Sequence, residues 1–347
     1  MSRICVTGGS GFFGIALVKK LIERGETVRV LDREPLDTSV LQAVCLPRQV
    51  EFVQADIREK EKIISALAGC DVVYHNAAVV PISRAGKDFW SINRDGTRNV
   101  LEGAKQGGAR RVIHYSTSSS LYGIPKSLPV TEETPSSPIG DYGNSKHAAE
   151  EICREYRHNG LDVSIIRPRT IVGAGRLGIF QILFEWIRKG SPVYMIGPGS
   201  NRLQLIGLED LVEVSLLLKD RGSNEDFNIG AEEYQTLRDD LEALIRHAGT
   251  SSHIRSIPPV LARPFLHLLD VVHCSPFVDL HYKTIDKDFY FDISKAKRLL
   301  GWQPKESNID ALVKAYDWYL QNAAIIDKSF GTTHRKAVRK KFLSILK

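Results

Sequence analysis

The chain opens on Ile4-Cys5-Val6, a short apolar run between Arg3 and Thr7 with no polar alternation. A strand buried on both faces has this pattern. From Phe12 to Arg24 the spacing changes: Ile15, Val18, Leu21 and Ile22 share one helical face, and Gly25 stops the helix. The same alternation recurs through the first half. Further strands are predicted at Val28–Leu31, Glu51–Gln54, Val72–His75, Val112–Ser116 and Val163–Ile166, with helices at about 60–68, 88–107 and 144–158 between them. Strands alternating with helices imply right-handed crossovers, hence an α/β, Rossmann-like, doubly wound parallel sheet.

After Arg167-Pro168 the rhythm loosens, with Gly173, Gly175, Gly178, Gly190, Gly197 and Gly199 breaking the chain. Helices at about 209–219, 236–248, 294–300 and 308–322 fit a smaller C-terminal substrate lobe over the sheet's carboxyl edge. The expected division is 1–170 for the dinucleotide domain, with a return segment near 204–230. Residues 171–325 then form the lobe and 326–347 a tail.

Composition narrows the class. Apolar runs such as Val212–Leu218 fall far short of the roughly 20 residues of a membrane span, and no charged-then-apolar leader precedes the first strand. Cys5, Cys45, Cys70, Cys153 and Cys274 are scattered without zinc spacing, so a reducing cytoplasm and no metal are expected. Arg335, Lys336, Arg339, Lys340, Lys341 and Lys347 carry the chain's whole net charge of +6. The body is neutral in sum, and nucleic acid is not an expected partner. Val338, Phe342, Ile345 and Leu346 fall on one stripe of that tail. The pattern suits peripheral contact of 334–347 with an anionic membrane at its inner face, and equally a docked or solvated helix.

Candidate chemistry begins at Thr7-Gly8-Gly9-Ser10-Gly11-Phe12-Phe13-Gly14, between the first strand and helix. Gly8 permits the tight turn, Gly11 lets backbone approach a diphosphate, and Gly14 lets helix pack on strand. Asp32 ends the second strand, where a carboxylate accepts from a ribose diol and repels a 2′-phosphate. NAD is therefore expected. Arg33 beside it suits NADP, the lesser alternative. Asp56 closes the third strand and reads either as an adenine contact or as a helix N-cap. Tyr142 and Lys146 stand four apart on a predicted helix, which places phenol and ammonium on one face. An ammonium there would lower the phenol's pKa toward operating pH.

In these elements the chain resembles the extended short-chain dehydrogenase/reductases, NAD-dependent sugar epimerases and dehydratases together with 3β-hydroxysteroid dehydrogenases. The resemblance spans about residues 3 to 320. It includes the glycine turn, Asp32, Asp56-Ile57, Asn76-Ala77-Ala78, Asn93 to Asn99, Ser116–Gly123, Tyr142/Lys146, Arg167-Pro168 and Phe291–Pro304. It implies Tyr142 as general acid/base, Ser118 as its hydrogen-bonding partner on substrate, and Lys146 on the nicotinamide ribose. It also implies cofactor contacts from Gly8, Gly11, Phe12, Phe13, Gly14, Asp32, Arg33, Asp56, Ile57, Asn76, Ala77, Ala78, Asn93, Tyr142, Lys146 and Pro168. Ser118, Ser119, Arg169, Thr170 and Arg202 would meet substrate, and a homodimer would form through helices near 88–107 and 144–158.

Within that family Ser119-Ser120 replaces the Asp-Glu pair of 4,6-dehydratases, so elimination of water is not supported. An ungapped comparison puts Leu203 where nucleotide-sugar enzymes carry a diphosphate-gripping Arg, with Arg202 one step away on the opposite strand face. Arg169, Arg176 and Arg263 are further candidate phosphate ligands. The leading expectation is C4 epimerisation of a nucleotide- or lipid-linked sugar through a 4-keto intermediate. The alternative is an NAD(P)-dependent dehydrogenase or reductase of a 3β-hydroxysteroid-like or 4-keto-sugar substrate. A binding protein without turnover is disfavoured, because Ser118, Tyr142 and Lys146 are all present.

Overall fold

A computed structural model describes residues 3–37, 41, 49–80, 85–271 and 279–326. In chain order, β1 (Arg3–Thr7) leads through α1 (Phe12–Glu23) to β2 (Thr27–Asp32), β3 (Val50–Gln54), α2 (Lys60–Leu67) and β4 (Val72–His75). A π-helical segment, Phe89–Gly96, runs into α3 (Thr97–Gln106), followed by β5 (Arg111–Tyr115), α4 (Ser119–Tyr122), α5 (Gly140–His158) and β6 (Asp162–Pro168). Then come β7 (Thr170–Val172), α6 (Ile179–Arg188), β8 (Val193–Ile196), β9 (Leu205–Gly207), α7 (Leu208–Arg221) and β10 (Asp226–Ile229). The chain continues with α8 (Leu237–Ala248), β11 (Ile254–Ile257), α9 (Pro259–Val271), α10 (Asp279–Thr284), α11 (Ser294–Leu300) and α12 (Asn308–Ile326).

Seven strands form one parallel sheet in the order β10-β6-β5-β4-β1-β2-β3. The chain winds outward from β1 to β3, then restarts beside β1 at β4 and winds the other way. The crevice between the carboxyl ends of β1 and β4 is the place where open α/β sheets bind ligands.

Period-two alternation sends side chains to two cores. Ile4, Val6, Val28 and Val30 pack with Leu17, Val18, Leu211 and Val214 of α1 and α7. Cys5, Leu31 and Val73 pack with Leu67, Val100 and Cys153 of α2, α3 and α5. A third core gathers Phe184 and Ile187 of α6, Leu241 and Leu244 of α8 and Tyr316 of α12.

Both α7 and β10 contact the seven-stranded sheet. Tyr74 and Tyr115 donate their hydroxyls to Ser215 of α7, at 3.2 Å and 2.8 Å, and β10 pairs with β6. Several features depart from the sequence reading, among them the thirteen-residue helix α9, which carries Pro264 inside it. After the glycines at 173, 175 and 178, all at positive φ, a ten-residue helix forms at α6. The three- and four-residue strands β7 to β11 were also not foreseen, being too short to show a period. Among the described residues no helix is long and apolar enough to cross a membrane. The basic tail lies outside them.

Candidate active site

The glycine turn is held by contacts that leave no room for side chains. The Gly8 amide donates to the Leu31 carbonyl at 2.8 Å, and the Gly11 amide to the Gly8 carbonyl at 3.1 Å. Gly8 sits at φ +70°, and a Cβ on it would stand 2.7 Å from the Ala77 nitrogen. A Cβ on Gly14 would stand 2.2 Å from the Gly8 carbonyl oxygen. From β4, Asn76 Nδ2 donates to the Gly8 carbonyl at 3.2 Å and the Ala77 amide to Thr7 Oγ1 at 3.2 Å. The first turn of α1 holds no acid, and no side chain caps it. Its free N–H groups suit an anion.

Asp32 lies at the end of β2, accepting from the Ser10 amide at 3.0 Å and the Glu34 amide at 3.0 Å. Burial raises its pKa, and those amide bonds oppose the rise. Arg33 stands beside it on the cleft wall. Asp56 is not the helix N-cap, since Glu59 takes that position before α2 and the Asp56 carboxylate accepts from the Arg58 amide at 3.0 Å. It lines the cleft, while its carboxylate is bound by Arg58 at 2.7 Å, which lowers its pKa. A cradle that only glycine fits, a helix N-terminus and a strand-end carboxylate together match an NAD dinucleotide.

At the other end, Tyr142 projects from α5 with the Phe89 ring edge-on at 5.8 Å. Lys146, one turn on, is buried, donates from Nζ to the Tyr115 carbonyl at 2.7 Å and lies 3.4 Å from His114 Nε2. Burial pulls its pKa down to about 8. The spacing-based expectation that the ammonium lowers the phenol's pKa is not met. Burial raises the Tyr142 pKa, and only a hydrogen bond with the Thr117 hydroxyl pulls it back. The ammonium is spent on backbone instead.

Beneath Lys146, the His114 and His75 rings lie 5.1 Å apart. Thr97 Oγ1 donates to the Asn93 carbonyl at 2.6 Å, so at 2.9 Å it accepts from His75 Nε2–H, and Thr7 donates to Nδ1 at 2.9 Å. His75 is thus a neutral ring, its pKa lowered by burial to about 3.

One cleft of about 1390 Å³ runs through the site. Gly8, Gly11, Phe12, Phe13, Asp32, Arg33, Asp56, Ile57, Asn76, Ala77 and Ala78 line its dinucleotide end. Ser118, Tyr142, Lys146, Pro168, Arg169 and Thr170 line the catalytic part. Gly14 and Asn93 stand behind the wall. Asn93 grips Val79 through both backbone groups, at 2.8 Å and 3.1 Å, and donates to Ser145 at 3.2 Å. Arg202 does not line the cleft: its amide donates to Asp288 Oδ1 at 2.7 Å and its carbonyl accepts from the Phe289 amide at 2.9 Å, while Leu203 and Phe289 line the wall. The Ser119 side chain lies outside the described set.

The three candidate phosphate arginines separate. Arg263 makes a forked pair with Asp286, both bonds 2.8 Å. Arg169 is buried, donates to the Gln204 carbonyl at 2.9 Å and to Ser118 Oγ at 3.2 Å, and stacks on Phe289 at 4.1 Å. Arg176 is buried in the cleft wall. Sequence reasoning missed Thr117 beside the tyrosine, the two histidines, and Phe180 and Trp318 of the lobe. The histidines sit within strand periodicity, where nothing marks them as neighbours across β4 and β5.

Residues 4–230 match the model of the NAD dependent epimerase/dehydratase family. The chain is 28% identical to a UDP-glucose 4-epimerase of Mycolicibacterium smegmatis, over 91% of this chain and 98% of that one. It is 27% identical to a 3 beta-hydroxysteroid dehydrogenase/Delta 5→4-isomerase of Mycobacterium tuberculosis, over 96% of each. A crystal structure of UDP-glucuronic acid 4-epimerase from Bacillus cereus in complex with NAD superposes with a TM-score of 0.75 at 26% identity, covering 92% of this chain and 99% of that one. The glycine cradle, Asp32 and the Tyr142/Lys146 pair thus belong to an NAD-using enzyme, and the chain is a member of the NAD-dependent epimerase/dehydratase family, within the extended short-chain dehydrogenase/reductases.

Proposed function

We propose that the enzyme is a sugar epimerase, inverting C4 of a nucleotide- or lipid-linked sugar through a 4-keto intermediate. The observation that carries the reading is the placement of Ser118, Thr117 and Tyr142 in a cleft that runs on past them to Arg169, Leu203 and Phe289. Room beyond the reacting carbon is what a keto-sugar needs to present its other face. Bound NAD would supply the hydride acceptor and donor. Tyr142 takes the proton from the substrate hydroxyl and later returns it. Ser118 accepts from Arg169, so its own hydroxyl proton is available to the substrate oxygen. Lys146 holds the nicotinamide ribose, and Asp32 the adenosine ribose. The sugar epimerases among the relatives support the choice.

A second reading, a dehydrogenase of a hydroxysteroid-like substrate, is favoured by one observation. Leu203 stands in the cleft where a diphosphate-gripping arginine would serve a nucleotide sugar. Incubation with UDP-sugars and no added NAD separates the two. Equilibration of the C4 epimers, read by NMR, supports the first; stoichiometric NADH with a sterol alcohol and none with sugars supports the second. We further propose a homodimer through α3 and α5, and peripheral contact of 334–347 with anionic membrane, the latter from charge pattern alone. Co-sedimentation with anionic vesicles, lost on deleting 334–347, tests that contact.

A further inference from the structure

Arg176 is a buried arginine whose guanidinium faces two aromatic rings. It lies in the loop between β7 and α6, where the Arg176 amide closes a turn on the Gly173 carbonyl at 3.1 Å. Gly175, at φ +90°, stands so close to α1 that a Cβ on it would be 3.7 Å from the Phe12 ring. The loop therefore rests on the first residue of α1. Arg176 itself is 5% exposed and lines the cleft. Its guanidinium lies 5.5 Å from the centroid of Phe12 and 5.3 Å from that of Phe180. Among the described residues its side chain makes no hydrogen bond or ion pair, and its Nε is buried without a partner. Burial pulls its pKa down to about 9.

Other buried arginines contrast with it. Arg167 is held by Glu150 and Asp226, and Arg169 by Gln204 and Ser118. A buried cation without an acceptor is costly, and the cost falls when an anion arrives. One place for an anion adjoins it: the uncapped N-terminus of α1, against whose first residue the loop packs. We propose that Arg176 is a built anion subsite that clamps the diphosphate of the dinucleotide, completing a site whose other half is the backbone of Gly11, Phe12 and Phe13. A guanidinium fork suits two diphosphate oxygens better than an ammonium would. The assignment is independent of whether the substrate is a sugar or a sterol.

Full-length wild type, Arg176→Gln and Arg176→Lys are titrated calorimetrically with NAD, ADP and adenosine. Arg176→Gln is expected to weaken NAD and ADP by about ten- to a hundredfold, the scale of a charged hydrogen bond, and to leave adenosine unchanged. Arg176→Lys recovers part of the loss. Thermal melts supply a second measure. Without nucleotide, Arg176→Gln should melt no lower than wild type, since it removes an unpaired buried charge, while its gain on adding ADP shrinks. NAD and ADP affinities within twofold of wild type overturn the proposal. So does an equal loss for adenosine, or a lower melting temperature without nucleotide, because Arg176 would then be structural. A substrate diphosphate is the rival occupant. If NAD binding holds but UDP binds the NAD-saturated variant more weakly than the NAD-saturated wild type, the subsite belongs to substrate and the cofactor assignment falls.

Discussion

Tyr142 starts from a handicap, since burial makes its phenol a weaker acid and Thr117 only partly reverses this. Lys146 is committed to the Tyr115 carbonyl. In the proposed mechanism, a bound nicotinamide ribose would give the ammonium a second neighbour and the tyrosine its reactivity. Tyr142→Phe removes the proton carrier and keeps the ring against Phe89. Its rate is expected to fall by about two to four orders of magnitude, with NAD affinity within a few-fold of wild type by titration. Turnover within threefold of wild type would remove Tyr142 from the mechanism. Thr117→Val should lose much less, because the substrate oxygen and Ser118 still orient the phenol.

At the scale of elements, one ion-paired knot joins α5 to the sheet. Arg167 of β6 donates to Glu150 of α5 at 2.9 Å and 2.7 Å, to Asp226 of β10 at 2.8 Å and to the Tyr122 hydroxyl of α4 at 2.8 Å. Glu150 and Arg167 are both buried. Glu150→Ala leaves the buried guanidinium with Asp226 as its remaining carboxylate, and breaking a buried pair from one side costs up to about 3–5 kcal/mol. Chemical denaturation should show that loss together with a displaced Tyr142, since both residues ride on α5. A midpoint unchanged from wild type would show that Asp226 alone suffices. This knot was hidden in the sequence, because Glu150 and Asp226 look like any surface acid until three elements converge. What was legible had a period or a fixed offset: the strands β1 to β6, the helices α1, α5, α7 and α8, the glycine turn, and Tyr142 with Lys146. What was not legible depended on facing across elements. Arg202 and Leu203 differ by one step, and only the pairing of Leu203 with Phe289 decides which enters the cleft.

For the whole molecule, the site imposes a pH dependence through groups it buries uncharged. Burial lowers the pKa of His75 to about 3, and His114 moves in the same direction with Lys146 adding to it. Unfolded histidines bind protons near pH 6.5, so stability is full above that value and drains as pH falls toward 3. For His75 alone the shift is worth up to about 5 kcal/mol. Asp240 opposes this. Burial raises its pKa to about 6, so the folded state gains relative stability as pH falls from about 6 through the usual aspartate range. Below that range the loss resumes, because Arg167 holds the carboxyls of Glu150 and Asp226 below their ordinary values. The melting temperature is therefore expected to decline from about pH 6.5, flatten where Asp240 titrates, and drop again in stronger acid. His75→Asn removes one proton-binding step from the unfolded chain. It should melt below wild type at neutral pH, for want of the paired bonds to Thr7 and Thr97, but the gap should close as pH falls. Melting curves of both proteins between about pH 7.5 and 4.5 decide the matter. A constant gap across that window would mean that His75 supports the fold only through its hydrogen bonds, and that the acid sensitivity has another source.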